Sequence, residues 1–590
     1  MVDGQPSKNL VKMINNIKIL LLDKFNKIYI LFLLVILIMI FEMIGIGLIP
    51  TYALLITNPE IILSKIPSNL YFPFLDEPDS KTIIFYGAIL LFFAFLIKNL
   101  FLGLLIYIEG NLIKSVRVDS AKKLYSFYIS STYLFYVNGN PASFTKLLKH
   151  DLGHAYRYIQ SAILLLREVL LVIIILVLLL SVNIKVYLTA FLIFSSFTVI
   201  FHYFYKATLV GKGKELQDEH EKNFHLVHQT FASIKEIKIY QKESFFSKIF
   251  FKNIEKIEEL QFFTGLVSKF PRLFLEILAV FMVSSFSIVI YFFGVEDQLV
   301  FLIALLSAAC IRFIPAFTSI TSSLNSIKLF STSVKTIVQE LKSTKQQSSY
   351  EAIVDEKKIQ HFEFNKNIEF KNLSFSYPGI AKKTLQDTNM TINKGDFVAL
   401  IGESGAGKTT LINLILGFLS EDSGSIEVDG KNINKNIAGW QLRLGYVPQD
   451  VYLIDVSIKE NIAFGVPYKE IDENRLNKAV KESRLEEFIN SLPNGLDTNA
   501  GYVGAKMSGG QKQRIGIARA LYTKPEILIL DEATNALDIE NENKIFDTLL
   551  ENKIVETLII ISHRQNNLHR FNRVYEVKKG KVNLQLNEKK

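Results

Sequence analysis

Cysteine is almost absent from this chain, which has one, Cys310, among 590 residues. A single thiol excludes any disulfide within the chain, and its position in an apolar run predicts packing in a hydrophobic core. The N-terminus also lacks the short apolar stretch and small-residue cleavage site of a secretory signal peptide. The first apolar run, from Tyr29 onward, is instead long enough to cross a membrane and stay there.

Apolar residues are unevenly distributed along the chain. Long apolar runs fill the first part, whereas the part after about Lys345 has the mixed composition of a soluble α/β domain. A chain of 590 residues is also too long for one hydrophobic core. We therefore predict a membrane domain joined to a soluble domain.

Six apolar segments each reach the ~20 residues that a bilayer requires, and they are 28–56, 82–108, 160–182, 186–206, 264–293 and 298–325. Two long polar connections carry most of the lysines, with ten of them from Lys206 to Lys256. The connections on the other side carry only Lys65, Lys81 and Lys185. Because positively charged loops stay inside, the long connections and the soluble domain are predicted to be cytoplasmic. The same lysines explain the net charge of +9, so no nucleic-acid partner is predicted.

A phosphate-binding motif opens the soluble domain. Residues Gly402–Thr409 read GESGAGKT and follow the apolar, strand-like Asp396–Ile401. In this pattern the glycines turn backbone N–H groups toward the β-phosphate, Lys408 neutralises the β and γ oxygens, and Thr409 offers a hydroxyl to Mg²⁺. ATP and Mg²⁺ are therefore the predicted cofactors.

Two further motifs narrow the class of ATPase. The segment MSGGQ at Met507–Gln511 precedes LILDE at Leu528–Glu532, and His563 follows a second apolar strand. This ordered set resembles the signature of ABC ATPases, and together with six spans it resembles an ABC exporter half-transporter of the type IV fold. The implied fold class is an α-helical six-span transmembrane domain plus a cytoplasmic α/β P-loop ATP-binding domain. The boundaries are 1–342 for the membrane domain, 343–362 for a linker and 363–590 for the ATPase domain.

The resemblance assigns roles to particular residues. Asp531 ends an apolar strand where a carboxylate reaches Mg²⁺, and the adjacent Glu532 is the predicted general base for the attacking water. His563 would contact the γ-phosphate, and Gln449 would link the metal site to the membrane half. The predicted metal ligands are Thr409, Gln449 and Asp531. The predicted nucleotide-binding residues are Tyr377, stacked on adenine, with Gly402, Glu403, Ser404, Gly405, Ala406, Gly407, Lys408, Thr409, Thr410, Ser508, Gly509, Gly510, Gln511 and Asp538.

In this family the signature of one subunit closes over the nucleotide held by the other, so the resemblance implies a dimer. An intact Glu532 and an intact SGGQ give a homodimer two competent sites. Turns near 138–142 and 240–243 would be coupling helices, or else ordinary helix turns.

Two departures from the family pattern stand out. Met507 replaces the usual leucine, a tolerable change of shape, and Tyr502 replaces a glutamate that contacts the opposite coupling helix, which puts that contact in doubt.

Charges within the spans are the clue to cargo, because an ionisable group in hydrocarbon usually faces a cavity or a partner. Counted at ~1.5 Å per residue, Lys98, Arg272 and Arg312 fall in the inner half of the bilayer. They form either a basic girdle for an anionic headgroup or charges that snorkel or pair internally, such as Arg272 with Glu276. The segments FPRLFLE and CIRFIP, at 270–276 and 310–315, resemble spans of bacterial lipid-linked oligosaccharide flippases, which favours the girdle. The external segment 59–75 is either an element on the outer leaflet or a hydrophobic lid.

These features predict a homodimeric ABC flippase in the bacterial inner membrane. Its predicted partners are a second copy of the chain, the membrane and a lipid-linked anionic substrate, most simply a polyprenyl-diphosphate-linked oligosaccharide. Export of lipid A, a peptide or a drug is a second transport hypothesis. The lack of an N-terminal protease domain argues against a peptide exporter that trims its cargo. An ATP-gated anion channel or regulator is the hypothesis from another class, and an intact Glu532 favours repeated hydrolysis over gating.

Overall fold

The structure is a computed structural model that describes residues 6–24, 26–57, 80–139, 141–292, 299–346, 359–360, 362–380, 382–501, 504, 506–534, 538–551, 554–562 and 565–587. The chain forms two units. The first comprises Met1–Ile129 and Pro141–Ser349, and the second comprises Ser130–Asn140 and Tyr350–Lys590. Each unit is described by itself.

Long helices build the first unit, because in lipid every backbone group must find its hydrogen bond within its own segment. In chain order the helices up to the linker are α1 Pro6–Leu20, α2 Lys27–Thr57, α3 Ser80–Ser130, α4 Tyr133–Asn138, α5 Pro141–Lys146, α6 Leu152–Val182, α7 Ile184–Ala232, α8 Ile234–Ile239, α9 Glu243–Phe292 and α10 Leu299–Gln346. A π-helical turn, Leu147–Asp151, joins α5 to α6. A 3₁₀ turn, Leu22–Lys24, joins α1 to the first long helix.

Four helical stretches of the described chain are long and apolar enough to cross a membrane, namely Lys27–Thr57, Lys81–Ser130, Ser143–Val182 and Phe301–Thr344. The predicted segments 186–206 and 264–293 fall on α7 and α9 as far as the described residues reach. The helical character of the membrane domain is confirmed, and the number of six spans stays a prediction. Only 6% of the most apolar stretch of α3 is buried within the chain. That surface requires lipid or another chain to cover it.

Helix α10 is the central helix of the first unit. It packs against α6, α2, α9 and α1, while α7 packs mainly against α9. Cys310 lies on α10 and is 4% exposed, so the predicted role of the lone cysteine in core packing is confirmed. Amphipathic α1 was not foreseen from the sequence. The 3₁₀ turn that follows it contributes Lys24, which donates to Asp119 at 2.5 Å and so fixes this turn against α3.

Two sheets and their covering helices form the second unit. The strands are β1 Asn367–Phe375, β2 Leu385–Asn393, β3 Phe397–Ile401, β4 Ser423–Val428, β5 Lys431–Asn432, β6 Leu444–Val447, β7 Ile527–Asp531, β8 Thr557–Ile561, β9 Arg573–Lys578 and β10 Lys581–Asn587. The helices are α11 Lys408–Ile415, α12 Ile437–Gln441, α13 Ile458–Ile462, α14 Glu473–Glu482, α15 Glu486–Asn490, α16 Gly509–Tyr522 and α17 Ile539–Glu551. One sheet is antiparallel with the order β2-β1-β4-β5, and the other has the order β10-β9-β3-β8-β7-β6.

The larger sheet is parallel from β9 to β6 and is buried on both faces. Alternate residues of β7 enter different hydrophobic cores: Leu528 and Leu530 pack on one face, and Ile527 and Ile529 on the other. Such continuous apolar strands are typical of parallel sheets covered by helices on both sides. The strands predicted from the sequence at the phosphate loop and at LILDE are therefore confirmed.

The segment Ser130–Asn140 joins the second unit although its neighbours in sequence belong to the first. The ring of Tyr133, on α4, stacks on Phe418 with centroids 5.1 Å apart and an angle of 28°. Leu134 packs against the core on the same side. Helix α4, which ends where the predicted coupling turn 138–142 begins, thus makes specific aromatic and apolar contacts within the ATPase unit. The coupling role of that turn stays a prediction.

Candidate ATP site and intramembrane charge cluster

Parallel strands place the site at one edge of the larger sheet. The chain segments that leave β3, β6 and β7 at their carboxyl ends carry the phosphate loop, Gln449 and the pair Asp531 and Glu532. Ligands of open α/β sheets bind at this edge, because the loops after the strands converge there. The sheet therefore gathers residues that are far apart in sequence.

Glycine is required at two positions of the phosphate loop. Gly402 has φ +143°, and a Cβ there would lie 2.2 Å from the carbonyl oxygen of Val577. Gly407 has φ +110° and precedes the first turn of α11, where a Cβ would lie 3.2 Å from the Thr384 carbonyl oxygen. Any side chain at either position would clash or force a strained backbone. The loop leads directly into the N-terminus of α11. Free backbone N–H groups at a helix N-terminus favour a bound anion.

Lys408 is held by the loop that it belongs to. Its Nζ donates to the carbonyl oxygens of Gly402 at 2.7 Å and Glu403 at 2.9 Å, and the residue is 5% exposed. Burial lowers the pKa of Lys408, while the nearby charges of Glu532 and Asp531 act in the opposite direction. A phosphate would replace those two carbonyl contacts by stronger charge-assisted hydrogen bonds.

The rest of the loop leaves room for a nucleotide. A Cβ at Gly405 would meet nothing within 4 Å, and Glu403, Ser404 and Thr409 are exposed. Thr410 is buried beneath the loop. The open cradle, the buried cation and the accessible Thr409 hydroxyl are the donor set that a magnesium–nucleotide complex requires. The residues present therefore fit ATP and Mg²⁺.

Tyr377 lies beside this cradle. Its hydroxyl is 3.3 Å from Thr410 Oγ1, and its ring meets Phe375 edge-on with centroids 5.0 Å apart. These contacts fix the ring against the first turn of α11. Stacking of Tyr377 on adenine stays a prediction.

Gln449 and Glu532 meet directly. Gln449 Nε2 donates to Glu532 Oε2 at 3.0 Å. Strand β7 ends at Asp531, and Glu532 has a left-handed backbone with φ +53°. This turn lets two consecutive carboxylates serve one site, although adjacent residues of a strand point to opposite faces.

Asp531 is buried at the end of its strand, with 4% exposure. Tyr446 donates its hydroxyl to Asp531 Oδ2 at 3.4 Å. Burial, with the charge of Glu532, raises the pKa of Asp531, whereas Tyr446 and Lys408 act to lower it. Burial also raises the pKa of the Tyr446 hydroxyl, with a contribution from Asp531, so Tyr446 remains a donor at neutral pH. Sequence reasoning missed Tyr446, whose only signal was its position on the strand before Gln449.

The signature residues begin α16. Ser508 is the N-cap: its Oγ accepts from the Gln511 backbone N–H at 3.3 Å, and the Ser508 N–H donates to Gln511 Oε1 at 2.8 Å. This reciprocal pair is a capping box. It leaves Ser508 and Gly509 exposed at the start of the helix, and Gly510 and Gln511 half-buried. Serine and glutamine at this spacing thus have a structural role that the sequence analysis did not assign.

Asp538 begins α17 in the same manner. Its carboxylate accepts from the backbone N–H and from the side-chain amide of Asn541, both at 2.7 Å. These bonds lower the pKa of Asp538, the backbone bond first. Asp538 is exposed, so its side chain remains accessible to a second chain.

Several predicted positions lie outside the described residues. They are His563, Tyr502, the external segment 59–75 and most of the linker. Their predicted roles stay predictions.

Two of the three predicted cargo residues converge on one carboxylate in the helical unit. Lys98 Nζ lies 3.5 Å from Glu42 Oε2, and Arg312 donates to Glu42 Oε1. Glu42 is 3% exposed, and the three residues come from α2, α3 and α10. The Lys98 ammonium also lies 4.5 Å from the centroid of the Phe95 ring. We call Glu42, Lys98 and Arg312 the intramembrane triad, and it carries one net positive charge.

Arg272 stands apart from the triad. Its Nε donates to Glu276 Oε1 at 2.8 Å, four residues along the same helix, and its side chain is 71% exposed. The internal pair that the sequence left open is therefore present.

Within the triad, Arg312 Nε is buried without a hydrogen-bond partner, so this guanidinium retains an unused donor.

Comparison with known proteins agrees with the geometry of the ATP site. Residues 385–535 match the family model described as ABC transporter. These residues form an ABC transporter ATP-binding domain. The match contains the phosphate loop, Gln449, the signature and the Asp531–Glu532 pair.

Curated relatives match over 217 to 224 residues of the chain. An ATP-dependent lipid A-core flippase from Desulfotalea psychrophila is 42% identical over 224 residues, which is 37% of this chain and 38% of that protein. A protein of the same name from Cupriavidus metallidurans is 38% identical over 218 residues, 37% of each chain. An ABC multidrug transporter from Emericella nidulans is 42% identical over 217 residues, 36% of this chain and 16% of that protein. The chain thus matches well under half of the length of these relatives.

A solved structure extends the likeness to both units. The structure of a bacterial Atm1-family ABC exporter with ATP bound superposes with a TM-score of 0.70 over 93% of each chain, at 19% identity. At this identity the likeness establishes the fold alone. The fold is that of an ABC exporter half, with a helical membrane-type domain followed by the ABC domain.

Proposed function

We propose that this chain is one half of a homodimeric ATP-driven exporter that moves an amphipathic anionic lipid outward across the bacterial inner membrane. The observation that carries the proposal is the contact between Gln449 and Glu532 beside Asp531, at the carboxyl edge of the parallel sheet. A carboxylate oriented by an amide next to a phosphate loop is the arrangement that phosphoryl transfer to water requires.

Each residue of the site has a distinct role. Lys408 neutralises phosphate oxygens, and Thr409, Gln449 and Asp531 would hold Mg²⁺. When bound, this ion neutralises charge that develops on the transferred phosphoryl group. Glu532 accepts the proton of the attacking water, with Gln449 holding the carboxylate in place.

The signature residues act on the partner's nucleotide in this proposal. Ser508 and Gly509 are exposed at the start of α16. There the helix N-terminus can contact the phosphate oxygens of a nucleotide bound to the partner chain. Asp538 is exposed on the same domain. Gln511 keeps the capping box closed, so the anion-facing turn of α16 is rigid before a nucleotide arrives.

The cargo that we propose is a phosphorylated glycolipid, namely a polyprenyl-diphosphate-linked oligosaccharide. The support is the intramembrane triad, whose net positive charge and unused Arg312 donor suit a diphosphate. Lipid A is the second candidate, because two relatives of the ABC domain are named lipid A-core flippases. An ATP-gated anion channel is the rival from another class, and it would use the same cations without net pumping.

Reconstituted vesicles distinguish these functions. With ATPase domains facing outward, we expect ATP-dependent loss of a labelled polyprenyl-diphosphate oligosaccharide from the outer face, and none with Glu532→Gln. Transfer of lipid A alone would select the second candidate. ATP-dependent chloride conductance without transfer of either lipid would select the channel, and hydrolysis with neither activity would contradict the proposal.

The triad requires a particular set of variants. Replacing both Lys98 and Arg312 by glutamine leaves the Glu42 carboxylate buried without a partner, which costs several kcal/mol of folding stability. Loss of transfer in that variant would then reflect instability of the domain and would not test cargo binding. We therefore expect the neutral triple variant, with Glu42→Gln as well, to keep its thermal stability and basal ATPase but to lose lipid transfer. Arg272→Gln with Glu276→Gln is the matched exposed pair. Equal transfer by the triple variant and the wild type would remove the triad from cargo binding.

A further inference from the structure

A basic cavity lies in the helical unit, away from the triad. Its volume is about 730 Å³, and its walls are the stretch Gly110–Ala121 of α3 and the stretch Leu148–Gln160, which includes the π-helical turn and the start of α6. The lining contains six basic side chains, Lys114, Arg117, Lys149, His150, His154 and Arg157, and no carboxylate. We call this the basic cavity.

Most of the cations of the cavity have no ion-pair partner in the protein. Within the described part of the chain, Lys114, Arg117, Lys149 and Arg157 take part in no ion pair. Of the two carboxylates nearest to these cations in sequence, Asp119 is paired with Lys24 at 2.5 Å, whereas Asp151 accepts from the neutral Ser333 hydroxyl at 2.8 Å and keeps its charge near His154. Four permanent positive charges around one cavity repel each other and favour an anion between them.

The floor of the cavity is built rigidly. Tyr156 is 2% exposed, its hydroxyl lies 2.5 Å from Ser120 Oγ, and the carbonyl oxygens of Leu20 and Val116, each 3.3 Å away, are the alternative acceptors for its one proton. These bonds join α6, α3 and the end of α1. The Arg117 guanidinium lies against Gly153, where a Cβ would be in van der Waals contact with it at 3.5 Å. The π-helical turn, a feature that is frequent at functional sites, carries Lys149 and His150.

The position of the cavity along its helices indicates the ligand. The apolar run of α3 ends near Ile108, and that of α6 begins near Ser161. The cavity therefore starts at the edge of the apolar stretch and extends about 15–20 Å beyond it, at ~1.5 Å per residue. On the proposed orientation of the chain, the membrane end of the cavity, with Arg157, lies in the headgroup layer of the cytoplasmic leaflet, which is about 5–8 Å thick. Arg117 lies deeper in the cavity, about 14 Å beyond the apolar edge. Basic pockets between helices at this side of a membrane bind phosphorylated lipids.

We propose that the basic cavity binds the headgroup of an anionic lipid of the cytoplasmic leaflet that carries two phosphates. Arg117 and Arg157, on opposite walls, offer planar guanidinium groups that match phosphate oxygens. This site is separate from the cargo triad. Its placement in the cytoplasmic leaflet rests on the proposed function.

The test uses the full-length dimer in nanodiscs of neutral phosphatidylcholine containing a minor fraction of cardiolipin, the probe with two separate phosphates, or of phosphatidylglycerol, its single-phosphate counterpart. Native mass spectrometry counts the retained lipids. We expect cardiolipin to be retained in preference to phosphatidylglycerol, and Arg117→Gln with Arg157→Gln to reduce retention by about tenfold or more, since two charge-assisted contacts are lost. Arg117→Lys with Arg157→Lys should restore part of it.

Lys122→Gln with Lys123→Gln is the matched control, because it removes two exposed charges of α3 outside the cavity. Equal cardiolipin retention by the arginine-to-glutamine variant and this control would overturn the proposal. Displacement of cardiolipin by free pyrophosphate at equal concentration would show a soluble polyphosphate site and would overturn the lipid assignment. Failure of oligosaccharide transfer in vesicles leaves the retention result unchanged, so the two proposals fail separately.

Discussion

Backbone strain at one residue organises the catalytic edge. Glu532 adopts φ +53°, a conformation that costs a non-glycine residue about 1–3 kcal/mol. The bond from Gln449 at 3.0 Å holds this conformation. Without the left-handed turn, Glu532 would point to the opposite face of β7 from Asp531. The sequence alone predicted both carboxylates at the end of a strand, but the contact of Glu532 with Gln449 joins two loops that are 83 residues apart, and the pattern LILDE does not reveal it.

The first prediction concerns Glu532 itself. We expect Glu532→Gln to keep ATP binding and to reduce phosphate release by about 10²–10⁴-fold, because the attacking water loses its base while Lys408 remains. Trp440, the only tryptophan, is buried and donates to the Ile415 carbonyl at the end of α11, so its fluorescence should report nucleotide binding. Glu540→Gln, at an exposed position of α17, is the control. Near-normal phosphate release by Glu532→Gln would exclude Glu532 as the general base.

The second prediction concerns the pH dependence that Tyr446 sets. The pKa of Asp531 is raised by burial and by Glu532, and the Tyr446 hydroxyl opposes that rise. Asp531 must be ionised to hold a cation, so activity is lost as pH falls through its pKa. We expect Tyr446→Phe to raise that pKa further and to move the acid limb of the ATPase profile to higher pH, by less than about one unit. Tyr452→Phe, at an exposed tyrosine, is the control, and coincident profiles would contradict the prediction.

At the scale of elements, the strands were predictable and the short connections were not. The apolar strands predicted next to recognisable motifs, Asp396–Ile401, Ile527–Leu530 and Thr557–Ser562, agree with β3, β7 and β8 to within a residue at each end. The spacing of Ser508 and Gln511 is that of a capping box, which the structure shows at the start of α16. The sequence analysis assigned the same two residues only to nucleotide binding. The association of Ser130–Asn140 with the ATPase unit depends on a stacking partner, Phe418, that no local pattern identifies.

The third prediction tests this association. The ring of Tyr133 stacks on Phe418, which meets Tyr446 edge-on at 6.3 Å, and Tyr446 bonds Asp531. An aromatic pair contributes about 0.5–1.5 kcal/mol beyond its buried area. We therefore expect Tyr133→Ala to reduce the stimulation of ATPase activity by lipid substrate several-fold while basal hydrolysis persists. Val137→Ala on the same helix, 48% exposed, is the control. Unchanged stimulation would mean that α4 does not communicate with the site through this stack.

At the scale of the whole molecule, the chain presents surfaces that one copy does not complete. The most apolar stretch of α3 is 6% buried, and the signature turn of α16 is exposed with its hydrogen bonds closed on itself. Hydropathy predicted the membrane domain because long apolar runs are unambiguous. Hydropathy could not locate Glu42 as the shared partner of Lys98 and Arg312, because that contact joins three helices distant in sequence.

The fourth prediction concerns the shared site of the dimer. Lys408→Ala chains lack the phosphate cation, and Ser508→Arg chains lack a usable signature, so each homodimer should be inactive. A mixed dimer combines Lys408 of one chain with Ser508 of the other and rebuilds one site. We expect mixed dimers, purified through two different tags, to recover up to about half of the wild-type ATPase activity, since one of two symmetry-related sites is complete.

The matched control places both substitutions in one chain and pairs it with a wild-type chain. If each site is shared, both sites of this dimer contain one damaged residue, and no activity is expected. If each chain instead used its own signature, the wild-type chain would keep a complete site and this control would be active, while the first mixture would stay inactive. Because Ser508→Arg also removes an N-cap worth about 1 kcal/mol, dimer assembly must be verified by size-exclusion chromatography. The two mixtures have opposite outcomes under the two arrangements, so the pair decides whether the ATP site belongs to one chain or to two.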